Sequence, residues 1–411
     1  MATEQDIRLS TRSAPARRAA LKNIVRLIPA VVLIAATLNT LSCGDRGLLG
    51  ANDLGSATAA PTTGTGALAF VTNYKDGKVS SFTRNTTTGV LKYTGQVTAG
   101  TKAGPKGVVA APSGSFLYVA NSADDNIYEF SINSTDGTLT PLSPAFISNG
   151  NGSGPDELAI NSAGTFLWVT GASKGTVTTY AVDSSTGQLT QNSKVAGLTT
   201  PFGIAVDPTD SFVYVADTGA GLVYSYSIGA NGALSQIGLP VLDLNGPGGT
   251  PGFIATDPAG TFIYVTDSKA GVVAVLGVSA GALSFGSVVP STTTDNQPLG
   301  IGYAAVNTVA DFIFTANQGT ATMWSFQVPS PGFPSAPVQF GVGDLNVPTG
   351  LVVDPQNAFL YTTNQFAGTV SQFSLSPACF ASSATPCFAG SVATENPHDA
   401  SSGPFGITLA Q

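Results

Sequence analysis

The residues of this chain that could do chemistry are few, and three of them follow two of its prolines. Lys106 follows Pro105, and Asp156 and Glu157 follow Pro155. A carboxylate can take a proton from water, and an ammonium group can stabilise negative charge that develops on oxygen. Glu157, Lys106 and Asp156 are therefore the candidate catalytic residues. The same charges would also be explained by a salt bridge between neighbouring units, or by solvated loops.

A second set of polar residues recurs at the end of one kind of strand. Asn or Asp stands there in six copies, and Gly171 takes the place in a seventh. The candidate ligand-binding residues are Asn73, Asn121, Asp217, Asp267, Asn317, Asn364 and His398. Short amides and carboxylates also cap turns, which is the competing interpretation. Because His398 is the one histidine in the chain, no metal site and no cofactor are predicted.

These residues owe their positions to a repeat. The strand FVYVAD at 212–217 recurs as LAFVTN (68–73), FLYVAN (116–121), FLWVTG (166–171), FIYVTD (262–267), FIFTAN (312–317) and FLYTTN (359–364). The third residue is aromatic in every copy, and these aromatic residues lie 46 to 50 positions apart. Such a regular period over most of a chain indicates a repeat architecture.

Each repeat predicts four antiparallel strands, which is the pattern of one propeller blade. A proline opens each repeat, at Pro105, Pro155, Pro201, Pro251, Pro298, Pro348 and Pro404. The first aromatic strand has no opening strand before it, and PFGITLA at 404–410 has no aromatic strand after it. We therefore predict an all-β, seven-bladed propeller over residues 67–411, closed by pairing of the C-terminal strand into blade 1. A solenoid with polar end caps is the alternative.

Propeller geometry predicts which residues meet. The opening strand of each blade lines the central channel, and the loops entering it share a face with the loops that join strands two and three. Both sets of candidates, and His398 in the loop before Pro404, therefore fall on this face. Glycine is the usual second residue after the opening proline, which indicates a crowded backbone near the axis. Glu157 departs from that rule.

The repeat also resembles a known family. LYVAN, VYVAD and IYVTD match the YVTN type of propeller repeat, and the longer unit resembles the seven-bladed lactonases that include 6-phosphogluconolactonase. The resemblance covers about residues 67–411 and implies His, Arg and Glu around the channel in members that are enzymes. A sugar phosphate would also require Arg or Lys. After the leader the chain has only Arg46 and Arg84 as arginines, and neither lies in the two candidate sets, so machinery for a phosphorylated sugar is not expected.

Two functions fit these features. The first is a non-catalytic binding or scaffold module at the cell envelope, whose partner is an unidentified protein, glycan or small-molecule ligand at the propeller face. The alternative is a lactonase-type hydrolase that acts on a lactone at the channel mouth. Nucleic acid is not an expected partner, because the net charge is −8 and no basic stripe is present.

Residues 1–43 predict an export signal, with a basic segment followed by the apolar run LIPAVVLIAATLNTLSCG at 27–44. RRAALK at 17–22 resembles a twin-arginine motif, or is a plain basic segment. TLSC resembles a lipobox, which implies lipidation of Cys43, although Thr40 departs from the pattern; an uncleaved N-terminal helix is the alternative. Residues 44–66 predict a flexible tether. Both alternatives place the propeller in the periplasm or at the cell surface, near a membrane.

Two further cysteines, Cys379 and Cys387, lie in ACFASSATPCF. Disulfides persist outside the cytoplasm, so we predict a local disulfide that staples one hairpin. Two free thiols in a loop are the alternative.

Overall fold

The computed structural model describes residues 68–242, 249–290, 297–306, 310–329, 332–341, 345–383, 385–394 and 403–410. The predicted export signal with Cys43, the tether and His398 lie outside these residues. Within the described ranges, no helix is long and apolar enough to cross a bilayer.

Seven antiparallel sheets follow one another along the chain, each ordered as a propeller blade. Blade 1 contains β29 (Pro404–Ala410), β1 (Leu68–Asn73), β2 (Lys78–Arg84) and β3 (Leu91–Thr98). Blade 2 contains β4 (Pro105–Ala110), β5 (Phe116–Asn121), β6 (Asn126–Ile132) and β7 (Leu139–Ser148). Blade 3 contains β8 (Pro155–Ile160), β9 (Phe166–Gly171), β10 (Thr176–Val182) and β11 (Leu189–Ala196). Blade 4 contains β12 (Pro201–Val206), β13 (Phe212–Asp217), β14 (Leu222–Ile228), and an outer edge split into β15 (Leu234–Gln236) and β16 (Val241–Leu242).

The remaining three blades keep the same order. Blade 5 contains β17 (Pro251–Thr256), β18 (Phe262–Asp267), β19 (Val272–Ser279) and β20 (Ala282–Pro290). Blade 6 contains β21 (Pro298–Val306), β22 (Ala310–Asn317), β23 (Thr322–Val328) and β24 (Val338–Phe340). Blade 7 contains β25 (Pro348–Val353), β26 (Phe359–Asn364), β27 (Thr369–Ser374) and β28 (Cys387–Ala393), with the helix α1 (Pro377–Ser383) between its last two strands.

The prediction of a seven-bladed propeller closed by its C-terminal strand is confirmed. Strand β29 pairs antiparallel to β1, with Leu68 opposite Ala410 and Phe70 opposite Thr408. This pairing joins the two extremities of the described chain in one sheet, so the solenoid alternative is wrong. Each opening strand begins at the predicted proline, next to the residue that ends the aromatic strand, as Pro105 does beside Asn121.

The aromatic residue at the third position of the aromatic strand links one blade to the next. Its ring is almost fully buried in every blade. In four of the five blades where the ring carries a polar atom, that atom donates to a glycine carbonyl in a turn of the following blade. Tyr118 Oη donates to the Gly187 carbonyl at 2.8 Å, and Trp168 Nε1 donates to that of Gly232 at 2.9 Å. Tyr361 closes the ring in the same way, donating to Gly89 of blade 1 at 2.8 Å. Tyr214 Oη has no hydrogen-bond partner among the described residues. The repeat therefore specifies contacts between blades as well as strands.

The seam between blades 7 and 1 carries a contact that the sequence did not predict. Arg84 Nη1 lies 3.0 Å from Asp354 Oδ2, and both side chains are completely buried. Asp354 also accepts hydrogen bonds from the backbone of Ala358 and Phe359, at 2.6 and 2.7 Å, in the turn that begins at Asp354. The carboxylate thus has several partners in a dry interface, which is what a buried charge requires.

The disulfide between Cys379 and Cys387 is present, with 5.4 Å between the Cα atoms. It ties α1 to the first residue of β28, so it staples the connection of the β27–β28 hairpin. The helix itself was not predicted. It begins at Pro377, and proline is well suited to the first position of a helix because its missing N–H is not needed there.

Candidate functional site

The opening strands crowd one another around the channel. A Cβ atom added at Gly203 would lie under 3.0 Å from the carbonyl oxygen of Gly252 in the next blade. The same conflict with the next blade's backbone occurs at Gly107, Gly300, Gly350 and Gly406. The predicted crowding is therefore observed. Glu157 in blade 3 and Phe253 in blade 5 are the two residues that place a side chain at this position.

Threonine hydroxyls hold several carbonyls of this ring. Thr72 Oγ1 donates to the Lys106 carbonyl at 2.6 Å, and Thr170 Oγ1 donates to that of Phe202 at 2.9 Å. Thr266 and Thr363 make the matching bonds in blades 5 and 7. Blades 2, 4 and 6 have alanine at this fifth position of the aromatic strand. This alternation of Thr and Ala is legible in the sequence, although we did not predict its role.

A cavity opens where the first residues of the opening strands meet, and we call it the channel cavity. It has about 330 Å³ of space free of protein atoms, counting the part open to solvent. Its walls are glycines and the side chains of Val108, Glu157, Phe253, Ile301, Leu351 and Ile407. Among these lining residues, Glu157 supplies the single ionisable group. The Phe253 ring is met edge-on by Phe202, with 5.0 Å between ring centroids.

The structure brings the three candidate catalytic residues together. Lys106 Nζ of blade 2 lies 2.7 Å from Asp156 Oδ2 of blade 3. The Lys106 side chain keeps 23% of its surface exposed, whereas that of Asp156 keeps 6%. Asp156 Oδ1 and Glu157 Oε1 are buried and have no hydrogen-bond partner among the described residues. An inter-blade salt bridge is thus present, and two buried carboxyl oxygens beside it lack a hydrogen-bond partner among the described residues.

The surroundings of Glu157 disfavour its charged form. Burial raises the pKa of the Glu157 carboxyl well above its ordinary value, the neighbouring Asp156 charge raises it further, and Lys106 opposes both. Burial also raises the pKa of Asp156, and the Lys106 ammonium lowers it. A carboxyl with a raised pKa is a stronger base once it ionises, which suits general-base catalysis near neutral pH.

The candidate ligand-binding residues at the strand ends hold loops together. All six that the structure describes are buried. Asp217 accepts hydrogen bonds from the backbone N–H groups of Thr199 and Thr200, at 2.6 and 2.7 Å. Asn121 Nδ2 donates to the Ala99 carbonyl at 2.8 Å. These are capping contacts, and a ligand-binding role for this set stays a prediction.

Neither a metal site nor a phosphate clamp is evident near the cavity. Within the described part of the chain, no group of His, Cys, Asp or Glu side chains could hold a metal ion. Arg84, which could in principle pair with a phosphate, is buried against Asp354 between blades 7 and 1.

Comparisons with known proteins agree with this architecture. The sequence profile of the family described as "Lactonase, 7-bladed beta-propeller" matches residues 62–204 and 200–379. A comparison with curated proteins finds no match.

Solved structures share the fold at low sequence identity. A protein from Lactobacillus plantarum aligns with a TM-score of 0.69 and 18% identity, over 84% of this chain and 99% of that one. A Bacteroides fragilis protein provisionally named 6-phosphogluconolactonase aligns with a TM-score of 0.68 and 16% identity, over 85% and 99%. The periplasmic gluconolactonase of Pseudomonas aeruginosa aligns with a TM-score of 0.64 and 18% identity, over 84% and 99%. At sequence identities this low, the similarity shows a shared fold and carries no conclusion about activity.

Proposed function

The chain belongs to the seven-bladed β-propeller lactonase family, and from that premise we propose that it hydrolyses a lactone at the channel mouth. Family membership favours this alternative over the binding or scaffold module that the sequence placed first. The observation that carries the proposal is Glu157, which replaces a glycine of the channel ring, lines the channel cavity and has a buried carboxyl oxygen without a hydrogen-bond partner among the described residues. An unpartnered buried carboxyl is costly, so its presence calls for a function.

In the proposed reaction, ionised Glu157 takes a proton from a water molecule as the water oxygen attacks the lactone carbonyl carbon. The carbonyl oxygen gains the negative charge, and the Lys106 ammonium stabilises it. The ring C–O bond then breaks as the carbonyl re-forms. The proton held by Glu157 passes to the departing ring oxygen, which leaves a hydroxy acid as the single product.

Asp156 is a positioning residue in this scheme. Its carboxylate holds Lys106 Nζ at 2.7 Å and so fixes an otherwise flexible side chain beside the mouth. Its charge also raises the pKa of Glu157, which strengthens the base. In this scheme Glu157 is the general base, Lys106 stabilises the negative charge, and Asp156 positions Lys106.

We propose export to the periplasm as the setting. The leader supports this, and the Pseudomonas aeruginosa protein of the same fold is by name periplasmic. Lipidation of Cys43 remains a proposal that rests on the TLSC sequence.

The test is turnover by the purified propeller on a panel of lactones, followed as acid release at constant pH. Glu157→Gln should lower kcat by about 10²–10⁴-fold, which is the usual contribution of a general base. Glu129→Gln makes the same chemical change at a buried carboxyl that does not line the channel cavity, and it should leave kcat unchanged. Equal activity in the wild type and Glu157→Gln, or no turnover of any lactone, would overturn the proposal. If the propeller were inactive on all lactones but bound a ligand from the cell envelope, the binding-module function would be favoured instead.

A further inference from the structure

The walls of the channel cavity bear on which lactone enters. Five side chains face the cavity beside Glu157, and all five are hydrocarbon: Val108, Phe253, Ile301, Leu351 and Ile407. Several carbonyls near this ring already accept threonine hydroxyls, among them those of Lys106 and Phe202. A ligand with many hydroxyl groups would leave some of them without partners here, and unpartnered buried hydroxyls weaken binding.

Phe253 is the second departure from the glycine ring. Five blades keep glycine at this position because a Cβ atom would strike the next blade, so a phenyl group here is an exception comparable to Glu157. Phe202 of the intervening blade packs edge-to-face against it, with an interplanar angle of 81°, and this contact fixes the ring. The acid and the fixed aromatic ring therefore face one cavity from blades 3 and 5.

The size and charge of the cavity further restrict which lactones can be substrates. The 330 Å³ counts space open to solvent, so the enclosed part of the cavity is smaller and suits at most one small ring. In the proposed reaction Lys106, held by Asp156, serves the carbonyl oxygen, and the ionisable group among the lining residues is the carboxyl of Glu157. A phosphate group elsewhere on the substrate would therefore find no second cation among the residues that line the cavity.

From these observations we infer that the channel cavity selects lactones whose ring bears hydrogen or hydrocarbon groups, and that Phe253 is the specificity-determining residue. This inference rests on the proposed hydrolase function. It excludes polyhydroxylated and phosphorylated lactones as preferred substrates, although such sugars are what the names of two proteins with this fold refer to.

The experiment compares three substrates with the same six-membered lactone ring: δ-valerolactone, glucono-δ-lactone and its 6-phosphate. We expect kcat/KM for δ-valerolactone to exceed that for glucono-δ-lactone by at least about tenfold, and that for the phosphate by more. A preference for either sugar lactone would overturn the inference and leave the hydrolase standing. Absence of turnover of all three and of the wider panel would overturn both.

Variants at Phe253 separate a specificity role from a structural one. Phe253→Leu keeps an apolar wall and should keep the preference for δ-valerolactone. Phe253→Asn supplies an amide that can pair with hydroxyls, so the ratio of kcat/KM values should fall by about tenfold or more, through a higher KM for δ-valerolactone. An unchanged ratio in Phe253→Asn would show that Phe253 does not set specificity. If that variant does not fold, the substrate comparison on the wild type still decides which lactones the cavity selects.

Discussion

Three buried or half-buried acids show how strongly the surroundings decide what a carboxyl group does. Asp354 is paired with Arg84 and capped by its own turn, so it serves structure. Glu129 is 1% exposed and accepts one hydrogen bond, from the Leu189 backbone at 3.2 Å. Glu157 lines the channel cavity and has a buried oxygen without a hydrogen-bond partner among the described residues. Of the three, Glu157 combines a raised pKa with access to a ligand.

The influence of Asp156 on Glu157 predicts a pH shift. Activity should rise with pH as Glu157 ionises, with a midpoint above the ordinary range of a glutamate, because burial and Asp156 raise its pKa. Asp156→Asn removes the charge that raises this pKa, while Lys106 still lowers it, so the acidic limb of the profile should move to lower pH. The measurement is log(kcat/KM) against pH for both proteins. A limb that stays in place, or moves to higher pH, would contradict Glu157 as the base.

Glu129 should make stability depend on pH. Burial raises its pKa from 4.5 to about 7, so the folded state resists ionisation. Its contribution is most favourable below pH 4.5 and is lost as pH rises through about 7, at a cost of up to about 3 kcal/mol. Gln372 occupies the position in blade 7 that Glu129 occupies in blade 2, and it accepts the equivalent hydrogen bond, from Leu91 N at 2.8 Å. An amide side chain therefore suits this position.

Glu129→Gln should therefore stabilise the protein by about 1–3 kcal/mol at pH 8, with a smaller gain at pH 5. Urea unfolding of both proteins at the two pH values measures this difference. An equal gap at both pH values would mean that ionisation of Glu129 is not the cause.

The opening strands pack through glycine, and this predicts a contrast between two substitutions. At Gly203 a Cβ atom conflicts with backbone of the next blade, which cannot move aside as a side-chain tip can. Gly203→Ala should cost about 1–3 kcal/mol. At Gly95, on the outer strand β3, an added Cβ meets nothing within 4 Å, so Gly95→Ala should change stability by less than about 0.5 kcal/mol. Denaturant unfolding of both variants tests the contrast, and equal effects would refute it.

The strands were predictable because the blades repeat local patterns, chiefly an opening proline, and an aromatic strand that recurs at a period of 46 to 50 residues. Irregular backbone features confined to one blade were not. The helix α1 interrupts blade 7, and the outer edge of blade 4 is split into β15 and β16. The six other blades offer no template for such an exception, so a pattern found by repetition misses it.

The candidate site was predictable in position and not in detail. Lys106, Asp156 and Glu157 lie one or two residues after an opening proline. The propeller topology brings these positions of all the blades into one ring, so the sequence predicted that the three residues lie close together. Phe253 was missed, although it breaks the same glycine rule as Glu157. The Arg84–Asp354 pair was invisible because its partners are far apart in sequence and have no counterpart in the repeat.

Closure of the ring predicts the effect of a truncation. Removing residues 404–411 takes β29 from blade 1 and leaves the inner edge of β1 without its hydrogen-bonding partner. We expect a lower midpoint of thermal unfolding and a tendency to aggregate, because an exposed edge strand pairs with other chains. Circular dichroism melts and light scattering provide the measurement. If the shortened and full-length proteins had the same midpoint of thermal unfolding, closure of the ring by β29 would not be important for stability.

The pairing of β29 with β1 also sets an order of events in biogenesis. The ribosome makes β1 early and β29 late, so the inner edge of blade 1 stays open while most of the other strands emerge. A nascent chain in this state cannot close its ring, and it presents chaperones with an unpaired strand until β29 has been made.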